Sequence, residues 1–148
     1  MATALNLTLR LKQDAATQAA LAQVKAAFAE HIQPAIDAAL MKSEIVHFAR
    51  VVVIDDKYIQ VLTEFDGSKQ VYTTFFLRAL PEVFKTIFSL AEDVPPWEEL
   101  QDEDKFYEVA SNYNVRALGT KEDDDKAGYL FQALGNTTVK EIRAALAK

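Results

Sequence analysis

Apolar and polar residues alternate strictly from Leu5 to Lys12, with Leu5, Leu7, Leu9 and Leu11 on one side and Asn6, Thr8, Arg10 and Lys12 on the other. A period of two is the pattern of a strand with one buried face. Asp14 has the short side-chain oxygen that accepts from the free N–H groups of a helix start, so a helix is expected from Ala15 to Gln33. Its apolar stripe runs through Leu21, Val24 and Phe28, and His31 continues that line. Pro34 lacks a backbone donor and clashes with the preceding turn, which predicts a kink or a fresh start there, with helix continuing from Ala35 to Met41.

The stretch Glu44 to Ser68 holds two further apolar runs separated by Asp55-Asp56 and closed by Asp66-Gly67, the pattern of a β-hairpin. With Asp55-Asp56 as a two-residue loop, Val53 faces Tyr58, Arg50 faces Val61 and His47 faces Glu64. One surface then carries Val46, Phe48, Arg50, Val52, Ile59, Val61, Thr63 and Phe65. The other carries Ile45, His47, Ala49, Val51, Val53, Tyr58, Gln60, Leu62, Glu64 and Asp66, a mixture of apolar and ionisable groups. A one-residue bulge would exchange the partners and switch the faces.

After the hairpin, Ser68 caps a helix rich in large apolar groups: Val71, Tyr72, Phe75, Phe76 and Leu80. Pro81 marks a break or a first-turn position, and Val83, Phe84, Ile87, Phe88 and Leu90 continue the helical pattern to Ala91. Pro95-Pro96 ends this region. A helix from Asp102 to Asn112 follows, with Phe106, Val109 and Ala110 inward, and then an acidic loop over Lys121 to Lys126. Ala127 to Leu134 reads as a last strand, with Tyr129 and Phe131 on one side and Leu130, Gln132 and Leu134 on the other. Thr137 or Thr138 then caps a closing helix, Val139 to Ala147, with Ile142 and Leu146 inward.

The order is strand, helix, strand, strand, helices, strand, helix. It predicts an α+β fold: a ferredoxin-like βαββαβ antiparallel sheet with helices on one face, extra helices after the second crossover and another at the C-terminus. A single domain spanning residues 1–148 accommodates it, since 148 residues, half of them hydrophobic, suffice for one well-buried core. One sheet face stays uncovered, and a second copy packed sheet to sheet would cover it. A homodimer is therefore expected.

Charge narrows the partners. The net charge of −6 argues against a nucleic-acid backbone or an anionic membrane, both of which favour basic surfaces. Residues 92–125 hold twelve acids and three bases, whereas residues 1–91 are balanced, so the acidity is local. With Trp97 and Phe106 as anchors, that segment suggests a protein-interaction module. The chain has no cysteine, which excludes a thiolate nucleophile, a disulfide framework and a cysteine-ligated metal. No basic leader or spanning apolar run is present, and a cytoplasmic location is expected. The acids of Glu122 to Asp125 lack the spacing of a calcium loop. There is no glycine-rich phosphate cradle and no Gly-x-Ser-x-Gly elbow.

His47 opposite Glu64 is the leading candidate for proton transfer, because a carboxylate favours the charged imidazole; the plainer reading is a structural cross-strand pair. Tyr58 and Gln60 share that face and would orient a polar ligand. Arg50 is a candidate for a salt bridge, for binding a ligand carboxylate, or for snorkelling from the edge of the sheet. Asp66 is a turn and helix-entry residue or a base, and His31 a ligand for iron, a base beneath the sheet or a core-edge histidine. The two histidines form no local metal motif.

The βαββαβ order with a long first helix and a tight central hairpin resembles the dimeric α/β-barrel superfamily, which includes small cofactor-free monooxygenases, chlorite dismutases and dye-decolorising peroxidases. His47-Phe48-Ala49-Arg50 with Thr63-Glu64-Phe65-Asp66-Gly67-Ser68 resembles a strand pair of uncharacterised bacterial members. The likeness implies a small-molecule-binding homodimer with a cavity formed by the sheet or, alternatively, an oxidoreductase with His47, Glu64 and Tyr58 as the polar wall. In the Gly-x-x-Asp-Gly pattern of the peroxidase branch, Thr63 stands at the first position. No histidine follows His47, so a haem would have to recruit His31 or His47.

Overall fold

The computed structural model describes residues 2–120 and 127–147; the acidic loop expected over Lys121 to Lys126 lies outside them. It is a mixed α+β structure around one three-stranded antiparallel sheet in the order β1-β3-β2. The strands are β1 (Ala2–Arg10), β2 (Val46–Ile54) and β3 (Tyr58–Asp66). Among the described residues no helix is long and apolar enough to cross a membrane.

Leu5, Leu7, Leu9 and Leu11 are buried, as their alternation requires. Asp14 caps α1 (Ala15–Ala27), accepting from the Thr17 backbone N–H at 3.0 Å. The kink expected before Pro34 is a π-helical turn over Phe28–Ile32, closed by a bond from Gln33 N–H to the Phe28 carbonyl. The missing Pro34 donor leaves this turn free to widen. The wider turn also rotates the stripe. Ile32 and Ile36 turn inward, while the His31 side chain, expected on the core stripe, is 73% exposed beside Glu30. Helix α2 (Gln33–Ser43) completes the first crossover.

The hairpin turn forms at Asp55-Asp56, both at positive φ, but Lys57 also stays out of the ladder. Every pair therefore moves by one residue: Ile54 meets Tyr58, Val53 meets Ile59 and Arg50 meets Leu62. A bulge at His47 absorbs the shift, because Val46 pairs with Phe65 and Phe48 with Glu64. The expected faces are corrected accordingly. Val46, Ala49, Val51 and Val53 join Ile59, Val61, Thr63 and Phe65 against the helices, while Phe48, Arg50 and Val52 stand on the second face with Glu64. Arg50 thus stays exposed to water, which spares the cost of burying an unpaired charge.

Ser68 caps α3 (Lys69–Ala79) through Val71 N–H, and Pro81 occupies the first turn of α4 (Pro81–Ser89). Tyr72 stacks on Phe65 with centroids 4.3 Å apart, which locks α3 to β3. Val71, expected inside, is exposed. A short helix α5 (Trp97–Leu100) leads into α6 (Glu103–Asn112), capped by Asp102. Phe106 of α6 meets Phe84 and Phe88 edge to face at 5.2 and 5.7 Å. It is therefore a core residue and no surface anchor, and Trp97 packs partly on the same core.

Ala127 to Leu134 is not a strand. Its pairing edge is already taken: the outer side of β1 bonds to the backbone at Leu90 and Glu92 and again at Tyr113 and Val115, with an antiparallel bridge between Leu7 and Asn114. The segment instead passes beside the second face and leads into α7 (Val139–Leu146), which has a complete capping box at Thr138 and Glu141. Ile142 is half-buried and Leu146 is exposed, so the inward face expected of this helix is mostly open.

Candidate functional site

The sheet places chemistry on both of its faces. On the second face, Glu64, Arg50 and His47 line a pocket of about 360 Å³ with Ala2 and Phe48, walled by Leu130–Leu134 and Thr137. The bulge re-aims His47 so that its Nε2 lies 2.8 Å from Asp66 Oδ1, each side chain only 13% exposed. Asp66, rather than the expected Glu64, is the histidine's partner. The second oxygen of Asp66 accepts from Val139 N–H at 2.8 Å, at the start of α7. A carboxylate there is favoured by the positive end of the helix dipole, so one side chain ties the bulge to the C-terminal helix.

Glu64 is left without that histidine. Its Oε2 is buried and has no hydrogen-bond partner among the described residues. Loss of water raises its pKa above the ordinary value of 4.5, and the charges of Arg50 and His47 oppose the rise.

The other candidates are dispersed. Tyr58 lies six residues from Glu64 along β3, about 20 Å at strand spacing, and lines a separate depression with Arg10 and Tyr113. Gln60 donates to Thr8 Oγ1 at 3.2 Å. His31 stands in solvent beside Glu30 and lines neither the cleft nor the second-face pocket. His47, Glu64, Arg50 and Asp66 are thus brought together, and Tyr58, Gln60 and His31 are not among them.

The helical face holds a cleft that no sequence pattern singled out. One lobe, about 160 Å³, is bounded by Ile36, Leu40, Val61, Phe76 and Phe84, with Thr63 and Tyr72 as hydroxyl groups and Gln33, Asp37 and Arg50 also in its lining. A second lobe, about 210 Å³, lies towards Leu21, Val24, Ile32 and Ile59. Phe28, Val51, Val83 and Ile87 line both. Thr63 is 3% exposed. Its hydroxyl is near enough to Tyr72 to favour that phenol's ionised form, yet the two miss hydrogen-bond geometry and Thr63 Oγ1 has no hydrogen-bond partner among the described residues. Burial pushes the Tyr72 hydroxyl up to about 12, with the Thr63 neighbour opposing and the Glu64 charge adding. The available signal was two hydroxyl residues at inward positions, Thr63 between Val61 and Phe65 and Tyr72 on the apolar stripe of α3.

Among the described residues no group of three or more His, Cys, Asp or Glu side chains could hold a metal ion. Neither lobe of the cleft is lined by histidine, and His47 Nε2 is engaged by Asp66, so these residues do not fit an axially ligated haem. Comparison with protein-family models, curated proteins and solved structures gives no match.

Proposed function

We propose that the protein is a small-molecule-binding homodimer of the dimeric α/β-barrel type, acting in the cytoplasm, with its ligand cleft between the helices and the sheet. The observation that carries this reading is the Thr63 hydroxyl, buried and without a hydrogen-bond partner among the described residues, in the lining of a mainly apolar cleft. An unmet buried hydroxyl costs about 1–3 kcal/mol, and a ligand that bonds to it recovers that cost. An apolar cavity of about 150 Å³ suffices for a benzene ring, so each lobe takes one small ring or its aliphatic equivalent. The expected ligand is a neutral, elongated, mainly apolar molecule with one hydroxyl or carbonyl group.

Two features support the wider fold and assembly. The bridge of Asn114 to the outer edge of β1 stands where a fourth strand would lie in a ferredoxin-like sheet. The hairpin end of the second face presents Val52, Ile54, Tyr58 and Leu62 at least partly to solvent, an apolar surface suited to a second copy. A cofactor-free monooxygenase would draw on the same cleft, since such chemistry rests on substrate electronics in a desolvated site.

The test is binding of 4-phenylphenol, which has two rings and one hydroxyl, together with the mass of the protein in solution. The reading predicts a dimer that binds one molecule per chain, and loss of binding in Val83→Trp, which fills the junction of the lobes. A monomer, or undiminished binding in a folded Val83→Trp protein, contradicts it.

A further inference from the structure

The second-face pocket shares one lining residue, Arg50, with that cleft, and its polar groups are unequally committed. Asp66 spends one oxygen on His47 and the other on Val139 N–H, and His47 Nε2 is spent on Asp66. The Thr137 hydroxyl donates to the Leu134 carbonyl at 2.7 Å. Two opposite charges remain uncommitted. Glu64 Oε2 has no hydrogen-bond partner, and Arg50 has no ion pair within 4.0 Å among the described residues.

Glu64 and Arg50 occupy diagonal positions on adjacent strands, since Arg50 pairs with Leu62 and Phe48 with Glu64. Diagonal neighbours stand about 7–8 Å apart, and with no ion pair between these two side chains one small ligand can reach both ends. Beside them the pocket is apolar: Phe48 is 72% exposed, and Leu130 to Leu134 form the facing wall. Its volume of about 360 Å³ lies within the range of small-molecule sites, roughly 300–1,000 Å³.

We propose that this pocket binds a small zwitterion of the amino-acid type, with its ammonium on Glu64, its carboxylate on Arg50 and its apolar group between Phe48 and the Leu130–Leu134 wall. A cation alone would leave Arg50 unpaired beside it, and an anion alone would leave the buried Glu64 oxygen unmet. A ligand bearing both charges satisfies both ends, and charge-assisted hydrogen bonds are the stronger kind. Asp66 acts as a positioning residue, holding α7 and with it the end of the wall.

The experiment titrates the full chain with L-phenylalanine, phenethylamine and 3-phenylpropionate, following backbone amide shifts of β2 and β3. L-Phenylalanine should bind about tenfold or more tightly than either one-ended analogue. Glu64→Gln should lower its affinity to that of 3-phenylpropionate, and Arg50→Gln to that of phenethylamine, while Val83→Trp leaves it unchanged. Circular dichroism establishes that each variant is folded. The proposal is overturned by equal affinity for the three probes, by no saturable binding, or by L-phenylalanine binding that survives both pocket substitutions. Loss of that binding in Val83→Trp also overturns it, because the ligand would then occupy the helical cleft.

Discussion

Thr63 and Glu64 are consecutive on β3, and the pleat sends them into opposite environments. Thr63 enters a cleft bounded mainly by aromatic and aliphatic side chains, where its neutral hydroxyl lies beside Tyr72. Glu64 enters a pocket with charged neighbours, one wall of which is an irregular segment tied down through Asp66. The helical side is built from packed rings and suits an apolar guest. The second side is built from a bulge and a clip, and it suits a charged one. One sheet thus presents two chemically different faces, separated by a single peptide unit.

The largest expected effect contrasts the packing on the two sides. Phe65→Ala removes the ring stacked on Tyr72 from a fully buried position and should cost about 3–5 kcal/mol, whereas Phe48→Ala on the second face should stay within about 0.5 kcal/mol. Denaturant unfolding of the two variants measures this, and equal losses would break the distinction. Next in size is the clip. Asp66→Ala removes two hydrogen bonds from a carboxylate and should cost about 2–3 kcal/mol, with amide exchange accelerating in α7 ahead of β1.

Thr63→Val replaces the partnerless hydroxyl with a methyl group of similar size, so the ligand-free protein should gain about 1 kcal/mol. Glu64 gives the smallest effect. In the folded chain it keeps its proton more tightly than in the unfolded chain, so it lowers stability as pH rises from 4.5 through its raised value. Glu64→Gln should remove that slope and gain less than about 1 kcal/mol at neutral pH, because water still screens part of the carboxylate. Tyr72 supplies the alkaline counterpart. With its hydroxyl pushed up to about 12, stability should fall as pH rises from 10 to 12, and Tyr72→Phe should abolish that part of the fall.

Much of this arrangement follows from local signals. The Leu5 to Leu11 alternation, the caps at Asp14, Ser68, Asp102 and Thr138, and the breaks at Pro34 and Pro81 all lie where side-chain chemistry puts them. The failures have non-local causes. Tyr129 to Leu134 alternates like a strand, but alternation says nothing about whether a pairing edge is free, and β1 has its outer edge bonded elsewhere. Gly128 adds a constraint, since a Cβ there would meet the Ala117 carbonyl oxygen at 2.0 Å. The clustering of His47 and Glu64 was legible because both lie near the closing end of the hairpin. Their partners were not, because leaving one extra residue out at Lys57 and inserting one at His47 cancel along the strand and leave no trace in composition. The Thr63 cleft was hidden for a related reason: a threonine inside an apolar run fits a strand equally well whether or not its hydroxyl finds a partner.

The most direct test of the account is the ratio of affinities for 4-phenylphenol and biphenyl, measured by calorimetry in the wild-type protein and in Thr63→Val. The account predicts that wild type favours the phenol by about tenfold, and that the preference vanishes in Thr63→Val while biphenyl still binds. An undiminished preference in Thr63→Val, or no binding of either compound by the wild type, would contradict a ligand cleft built around the Thr63 hydroxyl.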